Sequence, residues 1–90
     1  MSLMTLKFAQ AQVSLVDDAV ANQVFKFVLK SVAASGWRIA KSLELETEKV
    51  DESLTKLIAL GLLECNGRGL DGFCHSTSLG YAVHEAPSRF

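Results

Sequence analysis

Residues 37–63 read WRIAKSLELETEKVDESLTKLIALGLL, and this stretch predicts two consecutive amphipathic helices. The first covers Trp37–Leu43, because its apolar and polar side chains separate at helical spacing. Its inward face consists of Ile39, Ala40 and Leu43, and its outward face of Arg38, Lys41 and Ser42. The second has Thr47 as its expected N-cap and Gly61 as its stop, since threonine caps exposed amides and glycine adopts the left-handed conformation that ends helices. Its apolar stripe consists of Val50, Leu54, Leu57 and Ile58.

An earlier helix is predicted upstream of this pair. Either Asp17 or Asp18 can cap its first amides, and Ser35-Gly36 is the expected stop. Between these signals, apolar side chains recur at helical spacing. Their stripe consists of Val20, Val24, Phe27, Val28 and Val32, with Phe25 and Leu29 at its flanks. The sequence therefore predicts a core of three helices.

A β-hairpin is predicted after the third helix, because helical spacing gives way to two short runs around a glycine-rich loop. The runs are Leu62–Cys65 and Phe73–Ser76, and the loop Asn66–Gly72 contains three glycines. Symmetric closure would place Cys65 opposite Cys74, whereas a slip of one residue would separate them.

A short last helix is predicted to start at Thr77 or Ser78 and to end before Pro87. Its packing residues are Tyr81, Ala82 and Val83. We expect the chain to divide into a leader and N-terminal arm at residues 1–16, one folded domain at residues 17–86 and a tail at residues 87–90.

The composition fits one small folded domain. Of 90 residues, 49% are hydrophobic and 21% are charged, which argues against disorder. The formal net charge of -1 provides no global attraction to nucleic acid or anionic lipid. Two cysteines are too few for a disulfide-rich secreted scaffold, so we expect a cytoplasmic protein. No membrane span is expected, because Lys26 and Lys30 interrupt the most apolar stretch.

The order of these elements resembles winged helix-turn-helix domains of bacterial and archaeal transcriptional regulators. The resemblance covers about residues 18–86 and rests on four parts of the sequence: Ile39–Leu43; Val50, Leu54 and Leu57; Leu60–Leu63; and Thr77–Gly80. It implies a mainly α fold with a small β-hairpin, consisting of a three-helix core, a wing and a short C-terminal helix. It also implies that the free edge of the third helix enters the major groove of duplex DNA while the wing touches the backbone.

The resemblance directs attention to side chains that can contact DNA. The candidates are Arg38, Lys41, Lys49, Ser53, Lys56 and Arg68. The free edge of the third helix is expected to carry Glu48, Lys49, Asp51, Glu52, Ser53 and Lys56. Arg68 lies in the glycine-rich loop, where related wings carry a basic tip. DNA binding would depend on the lysine and arginine side chains of this set, because cations neutralise the backbone phosphates.

An acidic run weighs against DNA binding. Between Glu44 and Glu52, five acidic residues accompany one lysine, and such a run repels phosphate. One interpretation is a solvated helix face with a Glu52–Lys56 pair, and another is DNA contact with acids accepting from cytosine. A third is a docking surface for a basic protein segment, formed by Glu46, Glu48, Asp51 and Glu52. We take a DNA-binding regulator as the first hypothesis and a protein-interaction module as the alternative.

The remaining chemistry-bearing residues favour structural roles. Cys65 and Cys74 are expected to be small buried cysteines, with a metal site or thiol switch as the alternative. Trp37 is expected to pack partly into the core rather than to serve as an exposed recognition aromatic. The sequence lacks familiar catalytic and nucleotide-binding motifs, so neither enzymatic activity nor a cofactor is expected. A homodimer is also expected, because related domains pair through terminal helices or arms and residues 5–16 carry more apolar side chains than a free tail needs.

Overall fold

Helices and a small antiparallel sheet alternate along the computed structural model, which describes residues 17–67 and 69–85. In chain order the elements are α1 Ala19–Ser31, β1 Ala33–Ser35, α2 Gly36–Leu43, α3 Thr47–Ala59, β2 Leu63–Asn66, a 3-10 turn Gly69–Asp71, β3 Phe73–Ser76 and α4 Ser78–Glu85. The predicted fold class, mainly α with a β-hairpin, is confirmed. The predicted arm and tail, together with Arg68, lie outside the described residues.

Helix α1 begins at one of its two predicted caps. Asp18 is the N-cap, and its Oδ1 accepts the Ala21 N–H at 3.0 Å. A cap of this kind satisfies one of the amides that the first turn leaves without a partner. The alternative cap, Asp17, is exposed.

The predicted end of α1 at Ser35-Gly36 is wrong. The helix ends at Ser31, and Val32 follows with φ of 70°, an unusual conformation for a β-branched residue. Ser35 instead caps the next helix, because its Oγ accepts the Arg38 N–H at 3.3 Å. The residues between Val32 and Gly36 form β1, a strand that the sequence analysis did not predict.

The sheet has the strand order β1-β3-β2, so the hairpin strand β3 is central. The predicted symmetric register is confirmed, with Cys65 directly opposite Cys74. On the other side of β3, Ala34 pairs with Cys74, and both are fully buried. Pairing with β3 explains why α1 stops early, because the chain leaves the helix to satisfy its backbone groups in the sheet.

The core is formed by α1, α2 and α3 and by the inner face of the sheet. Its large, fully buried side chains are Phe25, Ile39, Leu57, Leu62, Leu63, Val24, Val28, Val50 and Cys74. On α1 the buried face consists of Ala21, Val24, Phe25 and Val28. The predicted stripe was therefore placed on a partly wrong face: Phe25 is core, Phe27 is only partly buried and Val32 is 69% exposed.

Helices α2 and α3 follow the prediction closely. Ile39 and Ala40 are buried in α2, and Leu43 is partly buried. The predicted N-cap of α3 is off by one residue, because Glu46 occupies that position, without a side-chain cap bond, and Thr47 is the first helical residue. The predicted stop is confirmed, since Gly61 follows the helix with φ of 78°.

The start of α4 is also confirmed, but its predicted packing face is partly wrong. The Thr77 Oγ1 accepts the Gly80 N–H at 3.0 Å and so caps the helix. Val83 is buried as expected, whereas Tyr81 and Ala82 are exposed. Gly80 packs beside the Leu62 carbonyl in their place.

Leu57 and Ile58 provide a direct test of the α3 stripe, because the sequence predicted both as core. Leu57 is fully buried and Ile58 is 45% exposed. We expect Leu57→Ala to lower the free energy of unfolding by about 2–5 kcal/mol and Ile58→Ala to lower it by about 1 kcal/mol or less. Urea unfolding followed by circular dichroism measures both. Equal losses would contradict the placement of Ile58 at the surface.

Candidate nucleic-acid interface

Helices α2 and α3 are joined by a three-residue turn, Glu44–Glu46. Glu44 adopts the left-handed conformation with φ of 54°, and the Leu45 N–H donates to the Ala40 carbonyl at 3.0 Å. These features end α2 sharply and let the chain re-enter a helix at once. The apolar edge of α3 then packs into the core, which leaves its opposite edge exposed.

The exposed edge of α3 divides into two flanks. We call the side toward the start of α1 the α1 flank, formed by Lys49, Glu52 and Lys56 with Asp18. We call the side toward the hairpin the hairpin flank, formed by Thr47, Glu48 and Asp51 with Trp37, Leu70 and Asp71. Both cations of α3 lie on the α1 flank, and the hairpin flank carries acids alone among its ionisable side chains. The two flanks therefore have different electrostatic character.

On the α1 flank, an ion pair joins α3 to the start of α1. The Lys56 Nζ donates to the Asp18 Oδ2 at 3.0 Å, and both side chains are about one-third exposed. The Ala21 N–H, followed by the Lys56 ammonium, holds the pKa of Asp18 below its ordinary value. Lys56 thus pairs with Asp18 rather than with Glu52, its partner in the interpretation of the acidic run as a solvated helix face. Its charge is partly neutralised before any ligand arrives.

On the hairpin flank, Trp37 forms one wall of a groove of about 420 Å³. Trp37 is 54% exposed, so its predicted partial core packing is wrong. The indole Nε1 donates to the Asp71 Oδ1 at 2.7 Å, a contact between residues 34 apart in sequence. The hydrogen bond ties the ring to the 3-10 turn of the hairpin, and the groove also receives Glu48 and Asp51.

A close approach between α2 and the 3-10 turn supports this groove. A Cβ added at Gly36 would lie 2.6 Å from the Leu70 Cδ2 and 2.9 Å from the Leu70 Cα. Only glycine allows the turn to sit this close to the first residue of α2. Gly36 therefore helps dock the hairpin instead of ending α1.

The structure places the predicted DNA-binding residues in different surroundings. Arg38 and Lys41 are exposed on α2, and Lys49 is exposed on α3. Ser53 is only 5% exposed, so its prediction as a free-edge residue is wrong, because that position packs toward α1. A continuous basic strip through Lys41, Lys49, Lys56 and Arg68 is not established, since Lys56 is paired and Arg68 lies outside the described residues.

All the acidic residues of the alternative surface are accessible. Glu46, Glu48, Asp51 and Glu52 are exposed. They do not form one patch, because Glu48 and Asp51 face the groove beside Trp37 while Glu52 lies on the α1 flank. Sequence reasoning missed Trp37 and Asp71 as partners, because no local pattern links a tryptophan at a helix start with a loop aspartate.

Cys65 and Cys74 form a disulfide across β2 and β3. The expectation of small buried cysteines holds for Cys74, which is fully buried, and is wrong for Cys65, which is only partly buried. Next to the disulfide on the outer sheet face, the His75 Nε2 lies 3.4 Å from the Glu64 Oε2.

Within the described residues, no three His, Cys, Asp or Glu side chains are grouped to hold a metal ion. None of the helices in residues 17–67 and 69–85 has the length and apolar character of a membrane span.

Comparison with known proteins identifies the fold. No protein-family model matches the chain, and no curated protein matches its sequence. A similar solved structure is TubR bound to 24 bp of tubC from Bacillus thuringiensis serovar israelensis pBtoxis. It has a TM-score of 0.70 at 17% identity and covers 87% of this chain and 88% of its own. The chain has the winged helix-turn-helix fold. In that fold α2 and α3 are the helix-turn-helix, and the β2–β3 hairpin is the wing.

The Asp18 cap of this winged helix allows a test by pH. The Asp18→Ala variant lacks the helix cap and the ion pair. We therefore expect this substitution to lower the free energy of unfolding by about 1 kcal/mol at neutral pH. The folded-state pKa of Asp18 is lowered, so its contribution is full above the unfolded-state pKa of about 4 and is lost as pH falls through the folded-state pKa. Urea unfolding at several pH values measures the difference between wild type and variant.

The matched control for this experiment is Asp17→Ala, which removes the neighbouring exposed carboxylate. We expect this control to change stability by less than about 0.5 kcal/mol. An Asp18→Ala effect that persists unchanged into strong acid would show that the carboxylate charge is not its cause.

Proposed function

We propose that this chain is a DNA-binding transcriptional regulator that presents the exposed edge of α3 to a duplex. The observation that carries the proposal is the fold: over 87% of the chain it superposes on TubR, a protein solved with 24 bp of tubC. Because function lives in sites rather than in folds, the proposal also needs side chains that can meet phosphates.

Cations beside the helix-turn-helix supply those side chains. Arg38 and Lys41 are three residues apart on the exposed face of α2, so they project in similar directions. Lys49 is exposed at the start of α3. Arg38, Lys41 and Lys49 would hold the backbone, since most contacts of this kind position a protein on DNA without reading sequence. Sequence reading would fall to the polar edge of α3, where Glu48 and Glu52 can accept from cytosine amino groups.

The electrostatics of α3 predict weak binding to DNA of arbitrary sequence. Acids on the hairpin flank repel phosphates, while the helix amides and three nearby cations attract them. The acidic edge of α3 weakens binding at every base pair that offers it no cytosine amino group. We therefore propose that discrimination between sequences owes more to these penalties than to strong general affinity.

Salt dependence tests the DNA proposal. Fluorescence anisotropy of a labelled random duplex is measured at low and moderate salt, with protein at roughly 10⁻⁶ to 10⁻⁴ M, the usual range of non-specific affinity. We expect salt-sensitive binding, and we expect the Arg38→Ala/Lys41→Ala variant to reduce the slope of log K against log salt by about 1.8, because two phosphate contacts are lost. Lys49→Ala should reduce it by about 0.9.

The control variant is Lys26→Ala/Lys30→Ala, which removes two exposed cations of α1. It changes net charge by the same amount as the Arg38→Ala/Lys41→Ala variant. If only the Arg38→Ala/Lys41→Ala variant reduces the slope of log K against log salt, the loss comes from a binding face and not from general charge attraction. Absence of binding even at low salt would overturn the proposal.

The hairpin flank favours a second candidate function, the docking of a basic protein segment. Its specific observation is the exposed Trp37 ring, fixed by Asp71 beside Glu48 and Asp51 in one groove. A tryptophan face and nearby carboxylates together suit an arginine or lysine side chain. Such a partner would compete with DNA for the edge of α3.

A labelled arginine-rich peptide tests this second candidate. We expect Trp37→Ala to weaken binding by about twofold to fivefold, the size of an exposed cation–π contact. Glu48→Gln/Asp51→Asn should weaken it further, whereas Asp17→Asn/Glu85→Gln, which removes two exposed acids elsewhere, should have little effect. Equal losses in the two double variants would indicate non-specific charge attraction only.

Two features of the predicted regulator stay predictions. The homodimer depends on the arm at residues 5–16, which lies outside the described residues. The cytoplasmic location rests on the low cysteine content, and the Cys65–Cys74 disulfide counts against it, because disulfides are rare in a reducing cytoplasm.

A further inference from the structure

We propose that Cys65 and Cys74 are a site of reversible oxidation, at which thiol–disulfide exchange controls how firmly the hairpin is docked on α2. The effect on DNA binding rests on the proposed function, whereas the effect on hairpin docking does not. The argument uses the register of the two cysteines, their unequal burial and the contacts that lie beyond them.

The disulfide lies at the boundary between the sheet and the loop. The four residue pairs of the β2–β3 ladder run from Leu63–Ser76 to Asn66–Phe73, and the cysteines are the third pair. One further pair separates them from the loop that carries the 3-10 turn. The bond therefore holds together the end of the ladder from which the docked turn projects.

The two cysteines differ in burial. Cys74 is fully buried beneath the sheet, whereas Cys65 is only partly buried. A thiolate from solution can reach Cys65 more readily, and exchange depends on such access. The structure thus favours Cys65 as the sulfur that enters exchange and Cys74 as the one that leaves.

The reductant is a small thiol of the glutathione class. Its thiolate attacks the Cys65 Sγ, the bond between the two protein sulfurs breaks, and Cys74 leaves as a thiolate that takes a proton. A second thiolate then attacks the small-molecule sulfur of the mixed disulfide, which releases Cys65 as a thiolate that is protonated in turn. Two small thiols become one small disulfide, and two electrons pass to the protein. A small disulfide reverses both steps.

Reduction removes the disulfide that cross-links β2 and β3. β3 stays in place, because it is the central strand and also pairs with β1. β2 is an edge strand of four residues, and short two-stranded pairing is marginal in water. We therefore expect the reduced hairpin to fray at the loop end of β2.

Fraying at that end is transmitted to the helix-turn-helix. The 3-10 turn is docked by Leu70 against Gly36 and by the Asp71–Trp37 hydrogen bond. When β2 loosens, the turn loses one of its two attachments to the sheet, and the Trp37 contact should weaken. The groove of the hairpin flank changes with it.

The chain provides its own reporter for this change. Trp37 is the single tryptophan, and its indole contacts the hairpin directly, so its emission reports on docking without DNA. We expect reduction by dithiothreitol to shift Trp37 emission to longer wavelength and to increase its quenching by acrylamide. Hydrogen exchange should accelerate at residues 66–73, while far-ultraviolet circular dichroism stays nearly unchanged.

The Cys65→Ala/Cys74→Ala variant is the matched control. It should resemble the reduced wild type and should not respond to dithiothreitol. Because this variant could fail to fold, the reduced wild type serves as the second measurement, and iodoacetamide labelling followed by mass spectrometry confirms its two free thiols. Identical Trp37 emission and identical exchange in the oxidised and reduced wild type would overturn the proposal.

A DNA measurement separates this proposal from the proposed function. We expect reduction to weaken duplex binding about fivefold or more, the lower end of typical coupling between two sites. If neither form binds DNA, the proposed function fails, but the Trp37 and exchange results still decide whether the cysteines control docking. If docking changes and DNA affinity does not, the control of DNA binding is overturned.

Discussion

The burial of one edge of α3 is the constraint on which the rest of the structure depends. Val50, Leu54 and Leu57 fill the space beside α1 and α2, and their removal from water provides the driving force that fixes the three helices relative to one another. The same burial decides what remains outside. Once this edge faces inward, helical spacing makes the acids of the first turns and Lys49 face outward.

The exposed side of α3 combines two tendencies that oppose each other for a DNA-binding protein. Acidic side chains near the start of a helix stabilise it through the helix dipole, but they repel the phosphates that the same position would approach. The fold separates these effects in space, because the cations of α3 lie toward α1 and its groove beside Trp37 is acidic. A protein with these flanks has two chemically distinct surfaces on a single helix.

Sequence patterns were sufficient for several features that depend on neighbours a few residues apart. The inward face of α2, the Val50, Leu54 and Leu57 stripe of α3, the Gly61 stop and the Cys65–Cys74 register all follow from periodicity or turn chemistry. Periodicity also misplaced Phe27, Ile58 and Tyr81, but the larger misses depend on distant partners. β1 is only three residues of small side chains and exists through pairing with β3, Ser53 is buried by its position toward α1, and Trp37 is held outside by Asp71. Neither composition nor spacing indicates such contacts.

The short strand β1 has a mechanical consequence for the whole molecule. It connects α1 to α2 with only Val32 before it, and it pairs with β3, so no slack segment lies between the first helix, the sheet and the helix-turn-helix. In the disulfide-bonded protein, the helix-turn-helix surface therefore has little freedom to follow grooves of different width. A duplex that meets it would have to supply most of the adjustment, and the stiffness of each base step would then enter the binding energy even where no side chain touches a base.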